Sequence, residues 1–138
     1  MPKPHFAHSL LGRPKSEWQL LWVHLAKVAE IAEKCASKFH SADWAWNAAW
    51  LHDIGKLADE FQAYLLRENS LDDEQYEGVS HGRGNHSSAG AALAEEIFGP
   101  ISGRSIAYLV AGHHAGLPDF YPTDTGRAAM QIRLEGGK

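Results

Sequence analysis

Apolar residues recur every three or four positions along several stretches of this chain, which is the spacing of one face of an α-helix. The longest stretch runs from residue 18 to residue 39 and predicts an amphipathic helix. Ser16 stands three residues before Gln19, as in a capping box, and predicts that the helix begins there.

Shorter stretches of the same kind predict further helices. Ser41 and Asp43 are candidate caps of a second helix that Gly55 interrupts or kinks, and a third helix follows through Leu65. Two more are predicted over residues 89–98 and 102–114.

The remaining stretches have weaker patterns. Residues 68–85 are polar and rich in glycine and serine in their second half, which predicts a surface loop, and residues 127–138 have weak helical character. No segment shows the strong alternation expected of a strand. The predicted fold class is therefore all-α, a helical bundle.

Length and composition narrow the possibilities further. A chain of 138 residues with 44% hydrophobic content predicts a single domain with one core. The net charge of -4 shows no overall basic footprint for nucleic acid. Cys35 is the only cysteine, so no internal disulfide can form and a cytoplasmic location is expected. No apolar run approaches the roughly 20 residues of a membrane span, so no membrane association is expected.

Histidine is abundant, with nine residues, and His52 stands next to Asp53 in LHDIGK. Adjacent helical residues point about 100° apart. They can meet one metal ion only where the helix opens onto a cavity, and the second carboxylate oxygen stays free for another ion. Lys56 shares their face and is a candidate catalytic residue beside a bound phosphate, with a solvated lysine as the alternative.

Three other histidine positions lie near apolar helix faces or helix ends: His24, His86, and the pair His113 and His114. Each alone has a structural explanation, as a hydrogen-bonded core residue, a helix cap or a partner of the helix dipole. Together with LHDIGK they form a set of imidazole and carboxylate donors that suits borderline metals. We therefore predict that they converge on one metal site.

Other histidines are assigned to the surface or to loops, namely His40, His5 and His81. His8 and Ser9, in the tripeptide AHS, are candidates to contact the metal ligands without binding the metal themselves. The tryptophans are predicted to pack in the core rather than to stack on bases: Trp18, Trp22, Trp44, Trp46 and Trp50.

Taken in order, WVHLAKVAEIA, LHDIGK, NHSSAGA and AGHHAG resemble the HD nuclease domain of the CRISPR-associated helicase-nuclease of type I systems, a branch of the HD hydrolase superfamily. AHS and FQAYL look like the same family. The resemblance spans roughly residues 6–120, and AGHHAGLPDF is more specific than an isolated HD pair. It implies an HD-domain bundle with a dinuclear metal site in its core.

The resemblance also implies a ligand set for two divalent transition metal ions. The first ion would be held by His24, His52 and Asp53. The second would be held by Asp53, His86, His113 and His114, with Asp53 as the bridge. Iron, manganese, cobalt or nickel is expected, and magnesium or zinc is an alternative.

The activity that the resemblance implies is cleavage of single-stranded DNA in CRISPR interference. A surveillance complex would open the target, and a helicase, fused or separate, would feed the strand. The family takes one further aspartate for the first ion from a later helix, and Asp119 and Asp124 come too early to supply it. We therefore expect residues 1–138 to be the N-terminal part of a longer HD domain that binds one ion or none by itself.

Two other functions remain open from the residues. One is an HD phosphohydrolase that acts on a nucleotide or a cyclic dinucleotide in a closed pocket. The other is a metal-stabilised interaction module without catalysis, which would leave no open coordination position at the metals.

Overall fold

The computed structural model describes residues 3–71, 73–80, 86–114, 116–122 and 129–137. Within these ranges the chain is mostly helical, which confirms the predicted all-α class. The helices are α1 (Leu21–Ala36), α2 (Ala42–Leu51), α3 (Asp59–Glu68), α4 (His86–Phe98), α5 (Arg104–Gly112) and α6 (Met130–Gly136). None of these described helices is both long and apolar enough to cross a membrane.

The start of the first helix differs from the prediction. Residues before α1 form strand β2 (Gln19–Leu20), which pairs antiparallel with strand β1 (Phe6–His8). Trp18 is buried with its ring edge against Phe6, at a centroid distance of 5.4 Å. The capping box at Ser16 was therefore wrong, because pairing with a distant segment outweighs the local helical pattern.

The other predicted helices are present with shifted ends. The hydroxyl of Ser41 makes no capping bond and instead donates to the carbonyl of Phe39 at 3.4 Å. The second helix ends at Leu51, before Gly55, and Gly55 lies within a short 3-10 helix, Ile54–Leu57, so the prediction that Gly55 interrupts the second helix was wrong. A turn of π-helix, Gly99–Gly103, connects α4 to α5. The tail with weak helical character contains α6.

Helix α4 lies at the centre of the bundle, where it contacts α2, α5, α6 and the 3-10 turn that follows α2. Small side chains predominate where α4 meets α5, so the two backbones lie close together. The main buried cluster consists of Leu51, Ala91, Ala94, Ile106, Ala107, Val110, Ala111, Met130 and Leu134.

The prediction that the tryptophans pack in the core was only partly right. Trp18 is buried, and Trp46 and Trp50 are partly buried. Trp22 is 65% exposed and Trp44 is also exposed, so the prediction was wrong for these two. The buried stripe of α1 follows Leu21 rather than Trp22, which points about 100° away on the helix.

Two glycines set the distance between α2 and α4. A Cβ at Gly90 would overlap the carbonyl oxygen of Leu51 and crowd Val110, so α4 packs directly on the end of α2. A Cβ at Gly55 would overlap backbone atoms of His86. The turn that follows Asp53 can therefore touch the first residue of α4.

We predict that Gly55→Ala destabilises the fold by about 1–3 kcal/mol, the usual cost of forcing extra volume into a packed region. The clash is with backbone atoms, which cannot rotate away. Urea unfolding measures the effect. Gly136→Ala is the matched control, because a Cβ there meets no atom within 4 Å in the described chain. Equal stability of the two variants would contradict the close approach.

Candidate metal centre

The candidate ligands come together from four places in the fold. His24 lies in the second turn of α1, and His52 and Asp53 directly follow α2. His86 is the first residue of α4, while His113 and His114 directly follow α5. Because α2 ends at Leu51, both side chains of the His-Asp pair leave the regular helix and point into the space between these elements.

One oxygen of Asp53, Oδ2, faces the first group of side chains. The Nε2 atom of His24 lies 3.0 Å from Oδ2, and the Nε2 atom of His52 lies 3.3 Å from it. The two imidazole nitrogens are 3.2 Å apart. Three donors at these mutual distances form one face of a coordination shell, since metal bonds of about 2.1 Å separate neighbouring ligands by roughly 3–3.4 Å.

The other oxygen, Oδ1, faces a second group. The Nε2 atoms of His86 and His113 lie 3.4 Å and 3.5 Å from Oδ1. The Nε2 atom of His114 lies 2.9 Å from that of His86. The two oxygens of one carboxylate thus address two separate sets of imidazoles, an arrangement that allows Asp53 to bridge two ions.

Backbone carbonyls orient two of these rings. The Nδ1 atom of His52 lies 2.5 Å from the carbonyl oxygen of Ala49, and that of His113 lies 2.6 Å from the carbonyl oxygen of Val110. A carbonyl can only accept, so each Nδ1 must donate. In the neutral rings Nε2 then carries the lone pair and faces Asp53, which is the usual second-shell arrangement of a metal-bound histidine.

Asp53 is buried and offers a carboxylate oxygen to a divalent cation. It is 3% exposed, and its Oδ1 atom is enclosed without a well-formed hydrogen bond in the described part of the chain. Burial alone would raise the pKa of Asp53. Hydrogen bonds from His113, His52 and Lys56 outweigh this effect and hold the pKa well below its usual range. Lys56 contacts only Oδ2, so the enclosed Oδ1 atom remains available to a cation.

Burial also prepares several imidazoles to bind a metal, which requires their neutral form. Desolvation lowers the pKa of His86 to about 4 and lowers the pKa of His24 as well. Desolvation acts in the same direction on His52, but hydrogen bonds to Asp53 and Ala49 outweigh it and raise that pKa. A proton therefore competes with a metal ion more strongly at His52 than at His24 or His86.

Lys56 is not a solvated lysine, because it is only 4% exposed. Its Nζ atom lies 2.8 Å from Asp53 Oδ2 and donates to the carbonyl oxygen of Ala7 at 3.2 Å. It thus holds the carboxylate in place and offsets part of its charge. The predicted contact between Lys56 and a bound phosphate stays a prediction.

His8 lies close to the first group of ligands. It is the last residue of β1, and its ring centre is 5.0 Å from that of His24. Ligand atoms of His8, His24 and Asp53 all lie within 4.8 Å of one another. Ser9 follows the strand and is partly buried, and its supporting role stays a prediction.

The histidines assigned elsewhere are consistent with the structure where it describes them. His40 is exposed after α1, and His5 lies outside regular structure before β1. His81 and Asp124 lie outside the described residues. Asp119 is exposed in a segment without regular structure, where its backbone carbonyl accepts from Met130.

Gln62, a residue of α3 that is 2% exposed, was not among the predicted site residues. Its side-chain amide pairs with both backbone polar groups of Phe6, at 3.0 Å and 2.9 Å, and also donates to the carbonyl of Lys56 at 2.7 Å. A glutamine within FQAYL, on the apolar face of a predicted helix, was the signal that could have identified it. Gln62 ties β1 to the turn that carries the metal site.

A helical bundle that surrounds one ionised aspartate with five histidines belongs to the class of helical metal-binding proteins. The family model of the HD domain matches residues 21–136, and the chain therefore belongs to the HD domain family. Membership implies metal-dependent phosphohydrolase chemistry in general. No curated protein matches the chain significantly.

We predict that Asp53→Asn removes every divalent ion that the chain binds, because both groups of imidazoles share this carboxylate. His114→Ala removes only the ion on the Oδ1 side. Calorimetric titration with Co²⁺ counts the ions in each variant. Asp119→Asn is the control and should bind as the wild type does. Retention of an ion by Asp53→Asn would refute the bridge.

Proposed function

We propose that this chain hydrolyses phosphodiester bonds of single-stranded DNA in CRISPR interference, using two divalent transition metal ions. The observation that supports it most is the buried Asp53, whose two oxygens face separate sets of histidines. A ligand shared by two ions holds them close enough to act on one phosphate together, as in enzymes that cleave phosphodiesters with two metal ions.

The contacts indicate a role in the proposed reaction for the ions and for each residue around them. Two ions about 3.5–4 Å apart would stabilise the charge on the phosphate and lower the pKa of a water for attack on phosphorus. Asp53 stays ionised, and the Nζ atom of Lys56 holds its Oδ2 atom at 2.8 Å. The Nδ1 bonds of His52 and His113 keep both rings turned toward the carboxylate.

Exposure around the site supports a long substrate rather than an enclosed nucleotide. Asp53 is buried, whereas His114 is exposed at the rim and the side chain of His113 is 20% exposed. A strand can lie across such a rim with one phosphate at the metals. Metal and backbone contacts read phosphate and carry little base information, so cleavage without base specificity is proposed.

Targeting would come from partners. The net charge of -4 supports weak intrinsic affinity for DNA, since phosphate contacts from lysine and arginine supply most non-specific binding. We propose that a surveillance complex opens the target duplex and that a helicase, fused or separate, delivers the displaced strand to the exposed rim.

We predict that single-stranded DNA is turned over faster than duplex DNA, a mononucleotide or a cyclic dinucleotide. The assay compares the four substrates at equal concentration with Mn²⁺, Co²⁺ or Ni²⁺ present. Asp53→Asn is the inactive control, and Asp119→Asn should remain active. Faster turnover of a nucleotide would favour the small-molecule phosphohydrolase. Metal binding without turnover of any substrate would favour the interaction module.

A further inference from the structure

Strand β1 is fastened to the metal centre at two consecutive residues. Gln62 pairs with the backbone N–H and carbonyl of Phe6, and Lys56 donates to the carbonyl of Ala7. The same Lys56 ammonium contacts Asp53 Oδ2. His8 is the next residue of the strand, so its backbone is held at a set distance from the carboxylate.

The ring of His8 has the spacing of a ligand to the same ion as His24. Two imidazoles on one ion have ring centres roughly 4.5–5.2 Å apart for bonds of about 2.1 Å and angles of about 90–109°. The His8 and His24 centres are 5.0 Å apart, and the His24 and His52 centres are 5.2 Å apart. His8 thus approaches His24 as closely as His52 does.

The distance from His8 to the carboxylate agrees with this. Ligand atoms of His8, His24 and Asp53 lie within 4.8 Å of one another. Ligands on opposite sides of one ion are about 4.2 Å apart, so a small movement brings all three onto a common ion.

We propose that His8 is a direct ligand of the ion on the Oδ2 side of Asp53, which it binds together with His24, His52 and Asp53. This rests on the metal centre of the proposed function, but not on DNA as the substrate. The first ion then has four protein donors without an aspartate from a later helix. Three imidazoles and one carboxylate favour Co²⁺, Ni²⁺ or Zn²⁺ over Mn²⁺ or Mg²⁺ at that position.

The direct test is a crystal structure of the 138-residue chain saturated with Co²⁺, with the ions located by anomalous scattering. We expect an ion beside Oδ2 with a ring nitrogen of His8 at bonding distance, about 2.1 Å. An ion beside Oδ2 with the His8 ring more than about 3 Å away would overturn the proposal. The lack of any ion beside Oδ2 at saturating Co²⁺ would overturn it as well.

Titration in solution provides an independent test through substitution. His8→Gln should lose one Co²⁺ equivalent, whereas His8→Glu should retain two ions and shift the preference of one toward Mn²⁺ by at least about tenfold, since carboxylates suit that metal. His5→Ala, in the same segment, is the control and should bind as the wild type does. Two equivalents in His8→Gln, with unchanged preference in His8→Glu, would contradict direct ligation.

These measurements read metal binding alone, so they separate this proposal from the choice of substrate. If the chain fails to cleave single-stranded DNA but shows His8 bonded to the first ion, the substrate is wrong and the ligand is right. If the chain cleaves single-stranded DNA but the His8 ring does not bond to the ion, the substrate is right and the ligand is wrong.

Discussion

The ionised carboxylate of Asp53, enclosed in the middle of a helical bundle, is the constraint on which the rest of the site depends. Burial of such a charge is unfavourable unless cations or donors surround it. The ammonium of Lys56 supplies one positive charge. The surrounding imidazoles offer nitrogen ligands with which metal ions can bind beside the carboxylate. The elements that carry these side chains must therefore meet at one point, although they are far apart in the sequence.

Close backbone packing makes that meeting possible. Gly90 lets α4 rest on the end of α2, and Gly55 lets the turn after Asp53 touch His86. Alanines then fill the contact between α4 and α5, which brings His113 to Oδ1 and His114 to His86. The same close packing that forms the core thus determines the geometry of the second group of ligands.

The N-terminal pair of strands, β1 and β2, lies beside the first group of ligands, on the Oδ2 side of Asp53. Its backbone is held by side chains of the bundle, chiefly Gln62 and Lys56, rather than by a larger sheet. This explains how a strand of three residues is stable in a helical protein: besides its pairing with β2, its backbone is bonded by a buried amide. It also links the position of His8 to Asp53 through a single lysine.

Local pattern was enough to predict the all-α class, most of the helices, and His52 and Asp53 as candidate ligands, because helical periodicity and LHDIGK are properties of neighbouring residues. The full ligand set came from the family resemblance. It failed at Ser16, Trp22 and Trp44, where pairing with β1 and the rotation of α1 decide the outcome. The burial of Lys56, the approach of His8, and the distances from each implied ligand group to Oδ1 or Oδ2 required the tertiary structure, since each depends on residues remote in the chain.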